Sequence, residues 1–252
     1  MDTHLAAVAT LALAMFFSPE TLVLGLIIAS DRRNPRLAAY AFAIGGVVGI
    51  TFSTSIGLLI AHLSGDDGSA RHSSWPGFLV RVVLAVVLLA IGLTRARNAI
   101  RRDPISDISK PEQKSSRIAT ALKEHFPAVM RQFEPGVELA PRQSALRGLL
   151  GGFAMCGLHP KVFPVAIAAG HQISQITEVD QRSLAVVVFA AIAVVPALLP
   201  AVIETVRPGA SGRIKEGYER IMAAHGRWIT VALLLAASAL IGYNAWEKYP
   251  GR

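Results

Sequence analysis

Long apolar stretches alternate with short polar ones along this chain. Six of them, at roughly 4–30, 36–63, 77–96, 146–171, 182–204 and 227–246, are each long enough for a helix of about 20 residues to cross a hydrocarbon core. The pattern predicts an all-α polytopic membrane protein with six transmembrane helices, three on either side of a polar middle. The expected organisation is a first three-helix repeat at 1–97, a cytoplasmic linker at 98–145 and a second three-helix repeat at 146–252.

Two of the stretches are interrupted. "FFSPETLVL" (16–24) puts Ser18, Pro19 and Glu20 inside the first, and "GLHPKVF" (157–163) puts His159, Pro160 and Lys161 inside the fourth. A proline removes a helical hydrogen bond. A charge at a helix centre costs about 2.5–3.5 kcal/mol on insertion scales, so each charge is expected to have a partner. An odd number of spans per half gives the halves opposite orientations, and Pro19 over Pro160 aligns the two breaks. The expectation is an inverted repeat with Pro-broken helices 1 and 4, and a site near the midplane where the breaks meet. Two main readings of Glu20 and Lys161 stand side by side, with one of the residues snorkelling away from the other as a third. Either they lock two crossed helices as a static ion pair, or they line a translocation path in which Glu20 binds a proton or cation and Lys161 attracts an anionic headgroup.

Loop charge sets the orientation. "SDRRNPR", the stretch from Arg95 to Arg147, and "RPGASGRIKEGYER" are basic, and the loops between them are acidic to neutral. Lys and Arg bias a loop to the cytoplasm. The expectation is therefore a multi-pass protein of the inner (plasma) membrane with both termini extracytoplasmic. Trp75, Trp228, Tyr243 and Trp246 fall near block ends, where amphipathic aromatics favour the interface. The leading "MDTHLAAVAT" lacks a basic n-region, so the first block is expected to be a span and not a cleaved signal. In the linker, Ile118, Leu122, Phe126, Met130 and Phe133 share helical spacing and predict an amphipathic helix along the cytoplasmic face, kinked or ended by Pro127.

Composition agrees. The chain is 52% hydrophobic and 17% charged, with mean hydropathy +0.47, whereas a soluble domain carries about 25% charged residues. The net charge of +8 is explained by the basic loops, and no nucleic-acid partner is expected. The single cysteine, Cys156, excludes a dithiol oxidoreductase. The seven histidines show no metal-ligand spacing, and no phosphate-binding loop, nucleophile elbow or carboxylate pair is present. No enzyme, metal or cofactor is expected; a proton gradient coupled through Glu20 is the natural energy source.

Other candidates are smaller. Ser53 and Thr54 in "STSIG" either line the cavity or bond the preceding turn of their own helix. Gly45 and Gly49, and Gly148 and Gly152, have the spacing of close helix contact, chiefly within one subunit, with a homodimer as the alternative. Pro196 and Pro200 predict a kink or second break for gating. Glu204 is expected to be solvated beside Arg207, Arg81 to snorkel to the outer headgroups, and His159 to satisfy a backbone carbonyl.

The first-block "SPE", the "RRNPR" turn into the glycine-rich second block and the fourth-block "GLHPK" resemble the lysine exporter (LysE) superfamily, and most of all its GAP family of actinobacterial peptidoglycolipid- and sulfolipid-addressing proteins. His159 stands where the superfamily motif has asparagine, so only Pro160 and Lys161 carry over. The resemblance implies an envelope lipid or glycolipid as cargo and membrane lipids, with lipid-export machinery, as partners. It leaves three functions open: a secondary-type transporter or accessory exporter of such a lipid, a small-solute (amino acid or ion) exporter, and a non-transporting scaffold of a lipid-export complex.

Overall fold

The computed structural model describes residues 3–30, 33–65, 75–101, 140–211, 213–214, 217–218 and 227–249. The amphipathic helix expected at 118–133 lies outside them. Their regular elements are all helical: α1 (Thr3–Phe16), α2 (Pro19–Ala29), α3 (Pro35–Leu63), α4 (Trp75–Ile100), α5 (Pro141–Phe153), a π-helical turn (Ala154–Leu158), α6 (Phe163–Ser174), α7 (Val179–Ala193), α8 (Val195–Val206) and α9 (Arg227–Glu247). Prolines open many of these helices. Pro19, Pro35 and Pro141 take the first helical position and Pro164 and Pro196 the second, where the missing N–H has no intrahelical partner to lose.

Among the described residues, α3, α4 and α9 are long and apolar enough to cross a membrane singly. The remainder form three bent pairs: α1 with α2 at 42°, α5 and the π turn with α6 at 62°, and α7 with α8 at 50°. Counting each pair as one span gives six, in the order the hydropathy pattern predicts. The third bend falls at Val194, because Pro196 lacks the N–H that would bond the Ile192 carbonyl. Pro200 continues inside α8.

The long helix α3 is the axis of one half of the bundle. Along it run α5, the π turn and α6 in parallel: Gly45 meets Leu149, Gly49 meets Gly157, and Thr54 meets Gly170. A Cβ on Gly45 would overlap the Leu149 carbonyl, and one on Gly152 would overlap that of Phe42. Contact here is backbone to backbone. In lipid, where apolar side chains gain little by leaving the hydrocarbon, such van der Waals closeness is what holds helices together. The glycine pattern thus packs helices within one chain.

On the other side α4 and α9 run antiparallel, with the Ser238 hydroxyl bonded to the Ala85 carbonyl at 2.8 Å and Trp75 against Tyr249 edge to face. Helix α1 fills the space between the halves, and its Val8, Leu11 and Ala12 are fully buried beside Ala166, Ala169, Ala185 and Ile241. Trp75, Trp228, Tyr243 and Trp246 all lie on the surface, as interfacial residues should.

Candidate functional site

The break between α1 and α2 is local chemistry. Pro19 offers no N–H, so the ladder closes early: Phe17 N–H bonds the Leu13 carbonyl at 3.0 Å and Ser18 N–H bonds that of Met15 at 3.1 Å. The Phe17 carbonyl is met from outside by the Thr230 hydroxyl in the first turn of α9, at 3.0 Å. Glu20 falls in the first turn of α2, where a carboxylate suits the positive end of the helix dipole.

The second break begins in the π turn, a wider winding that leaves carbonyls poorly paired. Ser53 reaches across from α3, its hydroxyl 2.8 Å from the Gly157 carbonyl and 3.0 Å from Gly49 of its own helix. Pro160 and Lys161 then cross the gap, and α6 restarts with the His159 carbonyl accepting from Val162 and Phe163 N–H, both at 2.9 Å. The His159 ring accepts the Lys161 backbone N–H at Nδ1, 3.4 Å away. It therefore serves a donor at the helix start and not the expected carbonyl, because an N-terminus exposes N–H groups.

The two breaks meet. Lys161 Nζ lies 2.9 Å from Glu20 Oε1, and Ser18 Oγ donates to Glu20 Oε2 at 3.1 Å. A third charge comes from α4: Arg95 Nη2 is 3.4 Å from Glu20 Oε1. Glu20 is 9% exposed, whereas the Lys161 side chain is 38% exposed. One nearly buried carboxylate is thus clamped by two cations, of which one can still be reached. This cluster carries a net charge of +1.

Its depth differs from the midplane expectation. Arg95 lies about 7–8 Å of helix rise from the end of α4, and Thr230 is in the first turn of α9. The cluster therefore sits toward the end of the bundle where α4 finishes and α9 begins. Tyr218, in the segment between α8 and α9, is near enough to feel Glu20: burial first, and then that negative charge, push its phenol up to about 12.

The remaining sequence candidates lie elsewhere. Ser53 serves the π turn and does not touch the charge cluster, while Thr54 is half-buried on α3 with its backbone carbonyl against Gly170. Pro196 shapes the third bend, and Pro200 packs where a Cβ on Gly25 would collide with its ring. Glu204 is not solvated: it is fully buried, accepts the Gly209 N–H at 3.1 Å and is bonded by the Ser211 hydroxyl. The chain folds back after α8 and wraps it. Arg81 does not snorkel either; it is 1% exposed and donates to Gln175 Oε1 at 2.8 Å. Arg95 and Tyr218 were missed because both lie in stretches read as loop. The signal for Arg95 was its place one residue before the end of the third apolar block.

A family model described as Sap, sulfolipid-1-addressing protein (SfLAP), matches residues 8–247. The chain belongs to this family. The match runs through both breaks and all three bent pairs, so every residue of the SfLAP charge cluster falls inside it. No curated protein and no solved structure gives a match.

Proposed function

We propose that this SfLAP protein moves an anionic envelope lipid across or out of the plasma membrane, with the cluster of Glu20, Lys161 and Arg95 as its headgroup site. One observation carries the reading: two apposed helix breaks hold two cations around one carboxylate, with Lys161 left accessible. Broken backbone at membrane depth is tolerated where protein buries it or a cavity is lined by it, and transporters use it to bind polar cargo. A net positive, partly open cluster suits an anionic headgroup. The family's description, sulfolipid-1-addressing protein, names cargo of that kind. An apolar groove of about 430 Å³ between α3 and α5, with Arg142 among its lining residues beside Tyr40, Ile44 and Leu149, would suit an acyl chain entering from the side.

In this reading the chain is not an enzyme. The two three-helix halves are inverted repeats, as the LysE resemblance implies, and alternating access at the breaks moves the cargo. Proton binding at Glu20 when Lys161 turns to the headgroup supplies the coupling. The potential is worth about 2.3 kcal/mol per charge per 100 mV, enough to bias export more than tenfold. Both termini face outward, and export machinery receives the lipid.

The test is a lipid inventory of surface-extractable and cell-retained fractions from a deletion strain carrying wild type, Glu20→Gln or Lys161→Met. Wild type alone should restore export of one anionic lipid class. Restoration by both variants would move the scaffold reading ahead, and an unchanged inventory would favour a small-solute exporter.

A further inference from the structure

The opposite end of the bundle, where α4 begins and α9 finishes, holds a second polar centre that the charge cluster does not use. A cleft of about 290 Å³ opens there, lined by Thr3, His4, Gln175, Glu178, Gln181 and Lys248 among others. Gln175 forms its floor and is 3% exposed; Gln172, one turn deeper on the same face, is fully buried.

The two amides are held in a fixed sense. Gln175 Oε1 accepts from Arg81 at 2.8 Å and from Lys248 at 3.5 Å. Gln172 Oε1 lies 2.9 Å from His4 Nδ1 and accepts from Asn244 Nδ2 at 3.4 Å. Cations and an amide donor face both oxygens, so both NH2 groups must turn the other way. Neither Gln172 Nε2 nor Gln175 Nε2 has an acceptor among the described residues, and both are buried. Unmet buried donors cost free energy comparable to a lost hydrogen bond, and natural interiors rarely keep two side by side.

The surroundings say what would satisfy them. Arg81, Lys248 and His4 converge on the amides from α4, from the turn after α9 and from α1. The cleft also borders the N-terminus of α7 through Glu178 and Gln181, and a helix start favours negative charge. Among the described lining residues the acidic one, Glu178, stands exposed on the rim. The last carbonyls of α6 are already taken by Ser174, Gln175 and Ile176, so they do not compete for the donors.

We propose that this cleft binds a tetrahedral oxyanion, a sulfate or phosphate ester on a lipid headgroup, with the Gln175 amide as its buried donor and Lys248 and the N-terminus of α7 beside it. It rests on the lipid-export reading for its biological sense and is the receiving site at the far end of the path. The chemistry admits free inorganic sulfate as well as the esterified group.

The decisive substitution is Gln175→Glu. It keeps the size and the oxygen that Arg81 and Lys248 use, so the fold is retained, but it replaces an N–H donor by a negative charge. Purified full-length protein in nanodiscs would be titrated with a sulfated glycolipid, its unsulfated counterpart and sodium sulfate. Wild type should bind the sulfated lipid, and Gln175→Glu should bind it at least about tenfold more weakly. Lys248→Gln, on the rim, should lose a smaller factor and serves as the reporter should Gln175→Glu not fold. Competition by sodium sulfate assigns the site to the free oxyanion; binding without competition assigns it to the headgroup. Gln175→Glu should weaken binding by the same factor on a Glu20→Gln background, which separates failure here from failure of the transport reading. Unaltered binding by folded Gln175→Glu, by Lys248→Gln where that variant is the reporter, or equal binding of the unsulfated lipid, would overturn the proposal.

Discussion

The charge cluster makes a quantitative prediction through its shared carboxylate. At an effective dielectric of about 20, Glu20 attracts Lys161 at 2.9 Å by about 6 kcal/mol and Arg95 at 3.4 Å by about 5 kcal/mol, before desolvation. Desolvation removes most of this, and Lys161, at 38% exposed, is further screened. Lys161→Met should therefore cost only about 1–2 kcal/mol, because Arg95 still holds the carboxylate. Arg95→Met should cost a similar amount. The double variant leaves a nearly buried carboxylate with no cation, and that loss should be about 3–5 kcal/mol. It should exceed the sum of the singles by about 1 kcal/mol or more. The assay is unfolding in mixed detergent–SDS micelles, followed by helical circular dichroism, for wild type, the singles and the double. On a Glu20→Gln background the excess should vanish, since nothing charged remains to be stranded. Additivity within about 0.5 kcal/mol on the wild-type background would refute the network. It would show that the two cations act on Glu20 independently.

Ser53→Ala strands the Gly157 carbonyl in the π turn and should destabilise by about 1–2 kcal/mol in the same unfolding assay; a neutral result would mean another donor serves that carbonyl. Gly152→Val should lower thermal stability by the equivalent of about 3 kcal/mol or more, because its side chain must displace the Phe42 backbone and not a flexible group; a variant as stable as wild type would contradict the close crossing. Pro196→Ala restores an N–H to the ladder at Val194, so it should straighten the third bend, raise the melting temperature and slow lipid export; unimpaired export would remove the bend from the mechanism. Tyr218 should show no phenolate absorbance until pH approaches 12. Its folded pKa stands above the ordinary value near 10, so the stability it contributes is complete below about pH 10 and is lost as pH rises toward 12. A midpoint near 10 in the folded protein would show the phenol to be solvated.

Hydropathy made the spans legible because membrane insertion depends on long uninterrupted apolar length, which a sequence displays directly. The breaks were legible too: Pro19 and Pro160 cannot continue a helix that approaches from the N-terminal side. That Glu20 and Lys161 meet followed from the cost of leaving either charge alone in hydrocarbon. What the pattern hid was lateral. Arg95 reads as the start of a basic loop, and only the tilt of α4 against the bend of α1 brings it to Glu20. Arg81 reads as snorkelling to the headgroups and Glu204 as solvated, because each lies near the end of an apolar block. The neighbours that bury them, Gln175 from α6 and the Gly209–Ser211 wrap, come from distant or irregular chain whose path no periodicity encodes. His159 was placed correctly and given the wrong role, since a carbonyl and an N–H are equally close in sequence at a helix restart.

The glycine seam between α3 and the α5–α6 pair has a mechanical consequence. With Gly45 against the Leu149 carbonyl and Gly152 against that of Phe42, sliding by one residue would drive a side chain into a main-chain oxygen. The seam has a single register and cannot act as a shear surface. Helix α3 and the second broken span therefore behave as one unit of fixed register. Any rearrangement among these helices has to take place outside the seam, where the α1–α2 and α7–α8 bends lie.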